Sequence, residues 1–411
     1  MVRIAALLLG LFFGLGVGLD AFQTTVLPRR PSGRWRITRL FFIVTWNPWS
    51  AIARRLKEKN VREEFYSVYG PISLILLLII WAVLLVATFA LVFFAMGSPF
   101  RETFSRPDTT AWSEFLSDLY VSGTTLFTLG LGDVVPKLPL ARGLIIVEAG
   151  VGLGFVAMVI GYLPVLYGAF SRREVSIALL DARAGSPPTA GELLRRHGFD
   201  GGEQEMIALL AEWERWSAEL LESHISYPVL CYYRSQHDNQ SWLSALTAIL
   251  DTCSLLITSV EETPVRQAQL TFAMARHALV DLALVFKLKS QKCWSLPKPD
   301  RLPSSDFRRL CGLLSDTEIQ LCGDPASEER LKTIRALYEP YAQSLAYYLG
   351  MPVSNWVAEP KKTDQWGMVA SLRTRPPAAR KAGEVVVGTP VRDLHIDHAA
   401  STRLHDEEHR F

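Results

Sequence analysis

The sequence predicts an all-α membrane protein, and three observations support that prediction. Of its 411 residues, 49% are hydrophobic. Three apolar stretches, Ile4 to Leu27, Pro71 to Met96 and about Leu140 to Phe170, reach the roughly 20 residues that a helix needs to cross a hydrocarbon core. Beyond Glu174 the apolar residues follow helical spacing, and no stretch alternates cleanly enough to indicate a sheet.

The first apolar stretch, Ile4 to Leu27, is long enough to span a membrane. A signal peptide is the alternative, although Leu19-Asp20-Ala21 matches the small-residue cleavage pattern poorly. A basic loop follows, and such loops stay in the cytoplasm. Its basic residues are Arg29, Arg30, Arg34, Arg36, Arg39, Arg54, Arg55, Lys57, Lys59 and Arg62. We therefore predict a retained transmembrane helix over residues 1–27 with its N-terminus outside.

Residues 28–70 combine these basic residues with apolar ones, in a stretch that is too short to span and is broken at Asn47-Pro48. The apolar members are Trp35, Phe41, Phe42, Ile43, Val44, Trp46 and Trp49. This composition is typical of an interfacial segment, with aromatic rings at headgroup depth and basic side chains toward anionic lipid. A solvated linker is the alternative. Membrane lipids, anionic ones included, are therefore expected partners.

The second apolar stretch, Pro71 to Met96, contains no charged residue and predicts an outer helix. At 1.5 Å per residue it would be ~39 Å long, enough to span with some tilt. The loop that follows, Gly97 to Asp108, carries two basic and two acidic residues that cancel, so it belongs outside. A short helix over Thr110 to Phe127 is predicted next, and Asp108, Thr109 and Thr110 are all acceptable N-caps for it.

The run from Ser122 to Pro136 fits neither a single helix nor a strand. Gly130 and Gly132 stand at alternate positions, where side chains would obstruct a backbone whose successive carbonyls point the same way. Four such strands around an axis would form rings of oxygen atoms that replace the hydration shell of a monovalent cation. Irregular backbone at membrane depth is tolerated only where it is buried or lines a water-filled path.

The run Thr125-Leu-Phe-Thr-Leu-Gly-Leu-Gly-Asp133 resembles the potassium-channel filter pattern Thr-x-x-Thr-x-Gly-Tyr-Gly-Asp. It is most similar to the variant with Leu in place of Tyr, found in second pore loops of two-pore-domain potassium channels. Residues 128–133 alone also fit an ordinary Gly-rich turn, but the flanking segments favour a pore. The order of outer helix, re-entrant helix, filter and inner helix over residues 71–174 resembles the pore module of the potassium channel superfamily.

The resemblance implies roles for individual residues. The predicted filter consists of Thr128, Leu129, Gly130, Leu131, Gly132 and Asp133, supported by Thr124, Thr125 and Phe127 of the pore helix. Potassium ions would be held at Thr128, Leu129, Gly130 and Leu131, with the Thr128 hydroxyl at the innermost site. Asp133 would lie at the outer mouth. One pore loop per chain implies a homotetramer, because cyclic symmetry closes the ring.

Two residues depart from the family pattern. Phe127 stands where a second Thr is common, and Leu131 replaces a Tyr whose hydroxyl usually tethers the filter to its pore helix. A looser filter is therefore expected. Both potassium preference and weakly selective cation conduction remain open.

The inner helix, Leu140 to Phe170, contains candidates for gating or for lining the cavity. They are Glu148, Gly150, Gly152, Gly154, Gly161 and Pro164. Glycines between residues 150 and 154 imply a hinge by the same resemblance, while tight helix packing explains each one equally well. Glu148 is an ionisable group at a depth where such groups are costly. It would either face the cavity and attract cations or hydrogen-bond behind the filter.

Residues 175–359 predict a helical cytoplasmic domain, and residues 360–411 a disordered tail. The predicted helices are Thr189–His197, Glu203–Glu222, Trp242–Val260, Pro264–Lys287 and Glu328–Leu349. No strand-linked Gly-x-Gly-x-x-Gly indicates a nucleotide-binding domain.

Composition narrows the function further. A net charge of +2 argues against a nucleic-acid-binding protein. The five cysteines form no Cys-x-x-Cys pair, so neither a zinc site nor a redox motif is indicated. No nucleophile, base and orienting group occur together, so an enzyme is not expected. The sequence predicts a multi-pass cation channel of the cell membrane with no cofactor besides permeant potassium ions. The alternative is a membrane-anchored helical sensor or scaffold with a degenerate pore.

Overall fold

The computed structural model describes residues 1–25, 36–102, 110–199, 201–236, 240–260, 265–288, 300–315, 317–319, 321 and 324–358. The chain divides into two compact units, Met1–Trp366 and Gly367–Phe411, and the second lies outside the described residues. The predicted tail over residues 360–411 and two of the five cysteines, Cys293 and Cys322, also lie outside them.

The membrane part of the chain is built from helices, as predicted. Helix α1 spans Val2–Thr25, α2 Ile37–Ala53, α3 Lys59–Ala95, the short α4 Ala111–Leu126 and the long α5 Pro139–Ala184. Two three-residue strands, β1 (Phe100–Glu102) and β2 (Val134–Pro136), pair antiparallel on either side of α4. Helices α1, α3 and α5 are long and apolar enough to cross a membrane. The prediction of an all-α membrane protein is confirmed.

Helix α1 packs closely along α3 because glycines line its contact face. A Cβ at Gly14 would lie 2.8 Å from Thr88 Cγ2, and one at Gly10 would lie 3.0 Å from the Thr88 carbonyl oxygen. At the first turn of α1, Arg3 lies against Gly97, just beyond the end of α3, so the two helices run antiparallel. Small residues let backbones approach in this way, which supplies van der Waals contact where no hydrophobic driving force acts.

Asp20, the acidic residue of α1, is buried, and its Oδ2 is hydrogen-bonded. Its Oδ2 accepts hydrogen bonds from Thr38 N (2.9 Å), Thr38 Oγ1 (2.6 Å) and Trp81 Nε1 (3.1 Å). Arg36 Nε lies 3.4 Å from Asp20 Oδ1. A buried charge is tolerated when it is paired and hydrogen-bonded, so this cluster fixes the end of α1 to the start of α2 and to α3.

The predicted chain break at Asn47-Pro48 is wrong, and the outer helix begins earlier than predicted. Helix α2 continues through Pro48, and α3 starts at Lys59 and continues through Pro71. The reason is tertiary, because the aromatic face of α2 packs against later helices. Trp46 Nε1 donates to the Tyr348 carbonyl at 3.1 Å.

The aromatic ring of Trp46 packs inside the protein, and the headgroup location of the segment remains a prediction. Trp46 is 2% exposed within the core, whereas the opposite face of α2 carries the exposed apolar residues. These are Leu40, Ile43, Val44 and Ile52. Sequence composition identified an apolar and aromatic segment, but it did not show which of its residues pack inside the protein.

The remaining helices form one packed domain. They are α6 (Ala190–His197), α7 (Gly202–Ser226), α8 (Trp242–Thr258), α9 (Val265–Val285), α10 (Ser304–Leu314), α11 (Pro325–Arg335) and α12 (Glu339–Leu349), with a 3-10 helix at Pro228–Tyr232. Helix α8 is central, since its residues are buried from Trp242 to Leu256. Helix α9 is apolar and long enough to cross a membrane, yet it packs within this domain. Burial raises the pKa of the Cys231 thiol to about 12, as expected for a packing residue.

The helix predictions differ from the structure in three places. The predicted helix Glu328–Leu349 is two helices, α11 and α12, because Pro340 begins the second one. Helix α10 was not predicted. The inner helix was predicted over Leu140 to Phe170, with Val175 to Ala184 as an extension that Gly185 stops. Helix α5 includes that extension in one helix and ends at Gly185, which has a φ of 81°. The predicted domain boundary at residue 174 thus falls inside one helix.

His224 of α7 is a buried group whose protonation is set by its partners. Its Nδ1 lies 2.9 Å from the Leu220 carbonyl, to which it donates, and its Nε2 lies 3.1 Å from Arg173 Nη1, from which it accepts. These roles require the neutral ring. Burial, followed by the Arg173 charge, lowers the pKa of His224 well below its ordinary 6.5.

We predict that the folded protein loses stability on acidification and that His224→Gln removes part of this loss. Below about pH 6.5 the unfolded chain binds a proton that the folded chain excludes, so one such group lowers the free energy of unfolding by ~1.4 kcal/mol per pH unit. Unfolding midpoints of the detergent-purified protein between about pH 5 and 7.5 measure the effect. His197, whose pKa burial also lowers, keeps its own contribution in the variant. Equal pH dependence in both proteins would contradict the assignment.

Candidate functional site

The short helix α4 begins with a complete capping box. Thr110 Oγ1 accepts from Ser113 N at 3.2 Å, and Ser113 Oγ accepts from Thr110 N at 3.0 Å. These bonds satisfy N–H groups that the first turn of a helix leaves without partners. The helix bounds, Ala111–Leu126, differ by one residue at each end from the predicted Thr110 to Phe127.

The loop that follows α4 turns back onto the carbonyl end of that helix. Thr124 O accepts from Leu129 N at 2.7 Å and from Gly130 N at 3.4 Å, and Thr125 O accepts from Thr128 N at 2.9 Å. The N–H groups of the loop are thus held by the helix. Within the described chain, no carbonyl oxygen of residues 128–132 accepts a backbone hydrogen bond. Phe127, predicted to support the loop, is half-exposed at the turn.

Every second residue of this loop has a left-handed backbone conformation. Thr128, Gly130 and Gly132 have φ values of 58°, 52° and 78°, so every second residue is left-handed. Such alternation directs successive carbonyl oxygens to one side. Glycine adopts this conformation freely, whereas a β-branched Thr does not. The sequence indicated the two glycines, and the structure adds Thr128.

The outer end of the loop is fixed by α4 and by the strand pair. Tyr120 Oη, on α4, donates to Asp133 Oδ2 at 2.8 Å. Strand β2 begins directly afterwards at Val134 and pairs with β1. Leu131 has no hydroxyl that could bond to the helix. Here the helix residue Tyr120 provides the hydroxyl, and Asp133 of the loop accepts its hydrogen bond. The sequence around Tyr120 did not predict this bond, because its phenol hydroxyl was the only local signal.

Glu148 of α5 is fully buried behind α4. Its Oε1 is within hydrogen-bond distance of Ser122 Oγ, and Ser122 Oγ also lies 2.9 Å from the Val86 carbonyl oxygen of α3. A hydroxyl has one proton, so both contacts are hydrogen bonds only when Glu148 is a carboxylic acid that donates to Ser122. We expected Glu148 either to face the cavity or to form a hydrogen bond behind the filter. In this chain it contacts Ser122 of α4, which corresponds to the second position. Three helices meet at this contact.

Among the glycines predicted to hinge α5, Gly152 has a packing constraint. A Cβ there would lie 2.0 Å from the Leu126 carbonyl oxygen, so α5 passes directly against the end of α4. Gly150, Gly154 and Gly161 have open space within this chain. The hinge remains a prediction, because α5 is one continuous helix through Pro164.

The arrangement provides backbone oxygens as ligands. Hard monovalent cations bind such oxygens without side-chain charge. Among the described residues, no group of three or more His, Cys, Asp or Glu side chains could hold a metal ion. The groups that this loop offers as ligands are the backbone carbonyls of Thr128 to Gly132.

Comparison with known proteins places this loop in context. Residues 71–166 match the model of a family described as ion channel. Over 185 residues the chain is 28% identical to an uncharacterized membrane protein, YdjJ, of Bacillus subtilis (strain 168). The match covers 45% of this chain and 52% of that protein, so the chain spans about half the length of this relative. No solved structure matches.

We predict that Gly152→Ala destabilises the protein, whereas Gly154→Ala, with open space around it, does not. The added methyl group would overlap the Leu126 carbonyl and force α4 and α5 apart, at a cost of about 1–3 kcal/mol. Unfolding midpoints of the two detergent-purified variants measure the difference. Equal midpoints would show that α5 does not pass this close to α4.

We predict that Glu148→Gln leaves the unfolding midpoint nearly unchanged at neutral pH, whereas Glu148→Ala lowers stability by about 1–3 kcal/mol. An amide can donate to Ser122 as the carboxylic acid does, but alanine leaves a cavity and an unpaired hydroxyl. A large loss in Glu148→Gln would mean that Glu148 is ionised, and the hydrogen-bond assignment would be wrong.

Proposed function

We propose that this protein, whose residues 71–166 form a pore module of the potassium channel superfamily, is a homotetrameric channel that conducts potassium ions passively across the cell membrane. The observation that carries the proposal is the alternation of backbone hand at Thr128, Gly130 and Gly132. It leaves a row of carbonyl oxygens on one side of the loop, free of backbone hydrogen bonds within the described chain. This row is what a dehydrated cation needs in place of water.

Potassium would be coordinated at four levels. The carbonyls of Thr128, Leu129, Gly130 and Leu131 would bind the ions, with the Thr128 hydroxyl innermost. One chain provides only one side of each site, so further copies are required, and cyclic symmetry closes the ring. Apolar residues exposed on α5 support such a closure, since they need cover from lipid or from other copies. They include Leu153, Val156, Ile160 and Leu163.

The bond between Tyr120 and Asp133 favours potassium preference over weak selectivity. A filter whose outer end is tied to its helix keeps its oxygens at a set spacing, and it cannot contract freely around a smaller ion. How far cavity size decides selectivity is debated, but both accounts need a filter of defined geometry. Weakly selective conduction is the outcome expected without this bond.

The location follows from charge and from the exposed face of α2. Basic residues between α1 and α3 favour the cytoplasmic side for α2 and for the helical domain. Leu40, Ile43 and Val44 are exposed beside Arg39 and Arg54. An apolar face flanked by arginines fits the acyl chains and anionic headgroups of the inner leaflet. No nucleic acid and no cofactor are involved in this function.

A membrane-anchored sensor or scaffold is the second candidate. The observation that favours it is the size of the helical domain, whose core includes residues of α2, α3 and α5. In that case the loop would be a structural remnant and would pass no current. A channel regulated by the same domain accounts for the packing equally well, and it also accounts for the loop.

Ion flux from liposomes tests the proposal. We expect potassium to leave at least about tenfold faster than sodium, a difference of ~1.4 kcal/mol between the two ions. Thr128→Ala should reduce the flux because it removes the innermost hydroxyl, and Tyr120→Phe should reduce the preference because it removes the bond to Asp133. No flux from the wild type would favour the scaffold. Equal rates for the two ions would identify a weakly selective channel.

A further inference from the structure

A cavity of about 430 Å³ lies between the inner helix α5 and helix α7. Small-molecule sites have volumes of about 300–1,000 Å³, so this cavity is large enough for a ligand. Val165 and Ala169 line it from the apolar part of α5, and Arg172 lines it one turn later. Arginines near the end of a membrane helix reach the interface between hydrocarbon and water. The cavity therefore lies at the depth of lipid headgroups, with an apolar side toward the hydrocarbon.

Arg172 provides a positive charge on the α5 side of the cavity. Its Nη1 lies 3.5 Å from the position that a Cβ would occupy at Gly168, so the side chain runs back along α5. Among the described residues Arg172 forms no hydrogen bond or ion pair. The neighbouring Arg173 differs, because it donates to Glu174 at 2.8 Å and to the Leu230 carbonyl at 3.0 Å. Arg172 is thus the guanidinium that is available to a ligand.

Two carboxylates face the cavity from α7. Glu219 and Glu222 both line it, are exposed and stand three residues apart, which places them on one face of the helix. Like charges at this spacing destabilise a helix. Neither carboxylate forms an ion pair with another residue that the structure describes. A cation between these two carboxylates would remove the repulsion.

Two aromatic rings complete the lining. Trp216 is 4% exposed, and Tyr227 is partly buried. Trp213 packs against Trp216 with ring centres 4.4 Å apart, and Tyr162 packs against Tyr227 at 5.6 Å, so both lining rings are held in place. The faces of such rings attract ammonium groups. The lining therefore combines one site for an anion with a larger site for a cation.

We propose that this cavity binds the headgroup of a zwitterionic phospholipid, phosphatidylethanolamine. The Arg172 guanidinium binds the phosphate through charge-assisted hydrogen bonds. Glu219 and Glu222 accept hydrogen bonds from the primary ammonium, which also lies near the aromatic rings. The acyl chains leave the cavity along α5 beside Val165, which is exposed.

The charges of the lining distinguish this headgroup from others. An anionic headgroup such as phosphatidylglycerol would place a second negative group near two carboxylates, with one guanidinium to balance them. A choline headgroup has a cation but no N–H group that could donate to Glu219 or Glu222. The cavity therefore differs from the exposed face of α2, whose arginines favour anionic lipid. Lipid binding here does not depend on the proposed conduction, because it is measured without ion flux.

Native mass spectrometry of the detergent-purified protein tests this proposal. Phosphatidylethanolamine, phosphatidylglycerol and phosphatidylcholine with identical acyl chains are titrated separately, and the bound copies are counted. We expect phosphatidylethanolamine to bind at least about tenfold more tightly than the other two, as the loss of one charge-assisted hydrogen bond implies. Equal affinities for the three lipids, or tighter binding of phosphatidylglycerol, would overturn the proposal.

Charge-removing variants locate the binding in the cavity. Glu219→Gln with Glu222→Gln should abolish the preference for phosphatidylethanolamine over phosphatidylglycerol, because both ammonium ligands lose their charge. Arg172→Gln should weaken the binding of both lipids about tenfold, because each carries a phosphate. All three side chains are exposed, and an unfolding midpoint near that of the wild type verifies that each variant is folded.

Matched controls come from the exposed surface of α7 outside the cavity. Glu203→Gln with Glu205→Gln removes the same charge as the acidic pair, and Arg215→Gln matches the arginine variant. We expect both controls to bind lipid as the wild type does, and equal effects of controls and cavity variants would overturn the proposal. Soluble phosphoethanolamine lacks acyl chains and should not displace the lipid at equal concentration. Displacement would identify a soluble ligand and overturn the assignment to a lipid.

Discussion

Backbone oxygens can coordinate an ion only if they form no hydrogen bond within the protein. At membrane depth, such an irregular backbone is stable only when other parts of the chain hold it in place. In this molecule the support comes through the N–H groups of the loop. Thr124 holds the amides of Leu129 and Gly130, so the loop is fastened on the side away from its carbonyls. The pore helix, its cap and its packing all maintain this one attachment.

The helices around the loop meet at polar contacts rather than at apolar surface alone. Ser122 connects the pore helix to Val86 of the outer helix and to Glu148 of the inner helix. Asp118, also on the pore helix, accepts a hydrogen bond from Ser98 at 2.7 Å. Directional contacts of this kind specify one arrangement of helices, whereas lipid and leucine side chains are equally apolar and discriminate poorly.

The helical domain is not an appendage to the membrane part. Residues of α2, α3 and α5 share its core, among them Trp46, Tyr66 and Ile177. The inner helix continues from Pro139 to Ala184 without interruption, and at Gly152 it passes against the end of the pore helix. One helix therefore connects the core of the domain with the end of the pore helix.

Local chemistry was sufficient to predict several features of this protein. Long apolar segments predicted the helices of the membrane part, because a backbone in lipid has to bond within its own segment. Gly130 and Gly132 predicted the left-handed positions of the loop, because a side chain is strained there. The N-cap candidates Asp108, Thr109 and Thr110 predicted the region in which the pore helix begins, and the structure selects Thr110. Each of these signals depends on a few neighbouring residues, so the sequence carries it directly.

Tertiary structure decided the features that depend on distant partners. The sequence around Trp46 and Pro48 predicted a broken interfacial segment. The structure shows a continuous helix instead, and the Trp46 indole donates to the Tyr348 carbonyl about 300 residues later. Glu148 had two plausible positions, and only the approach of Ser122 and Val86 selected one of them. Tyr120 bonds to the loop because the turn after α4 places Asp133 next to its hydroxyl. Burial and partner geometry are properties of the packed chain, so local composition could not contain them.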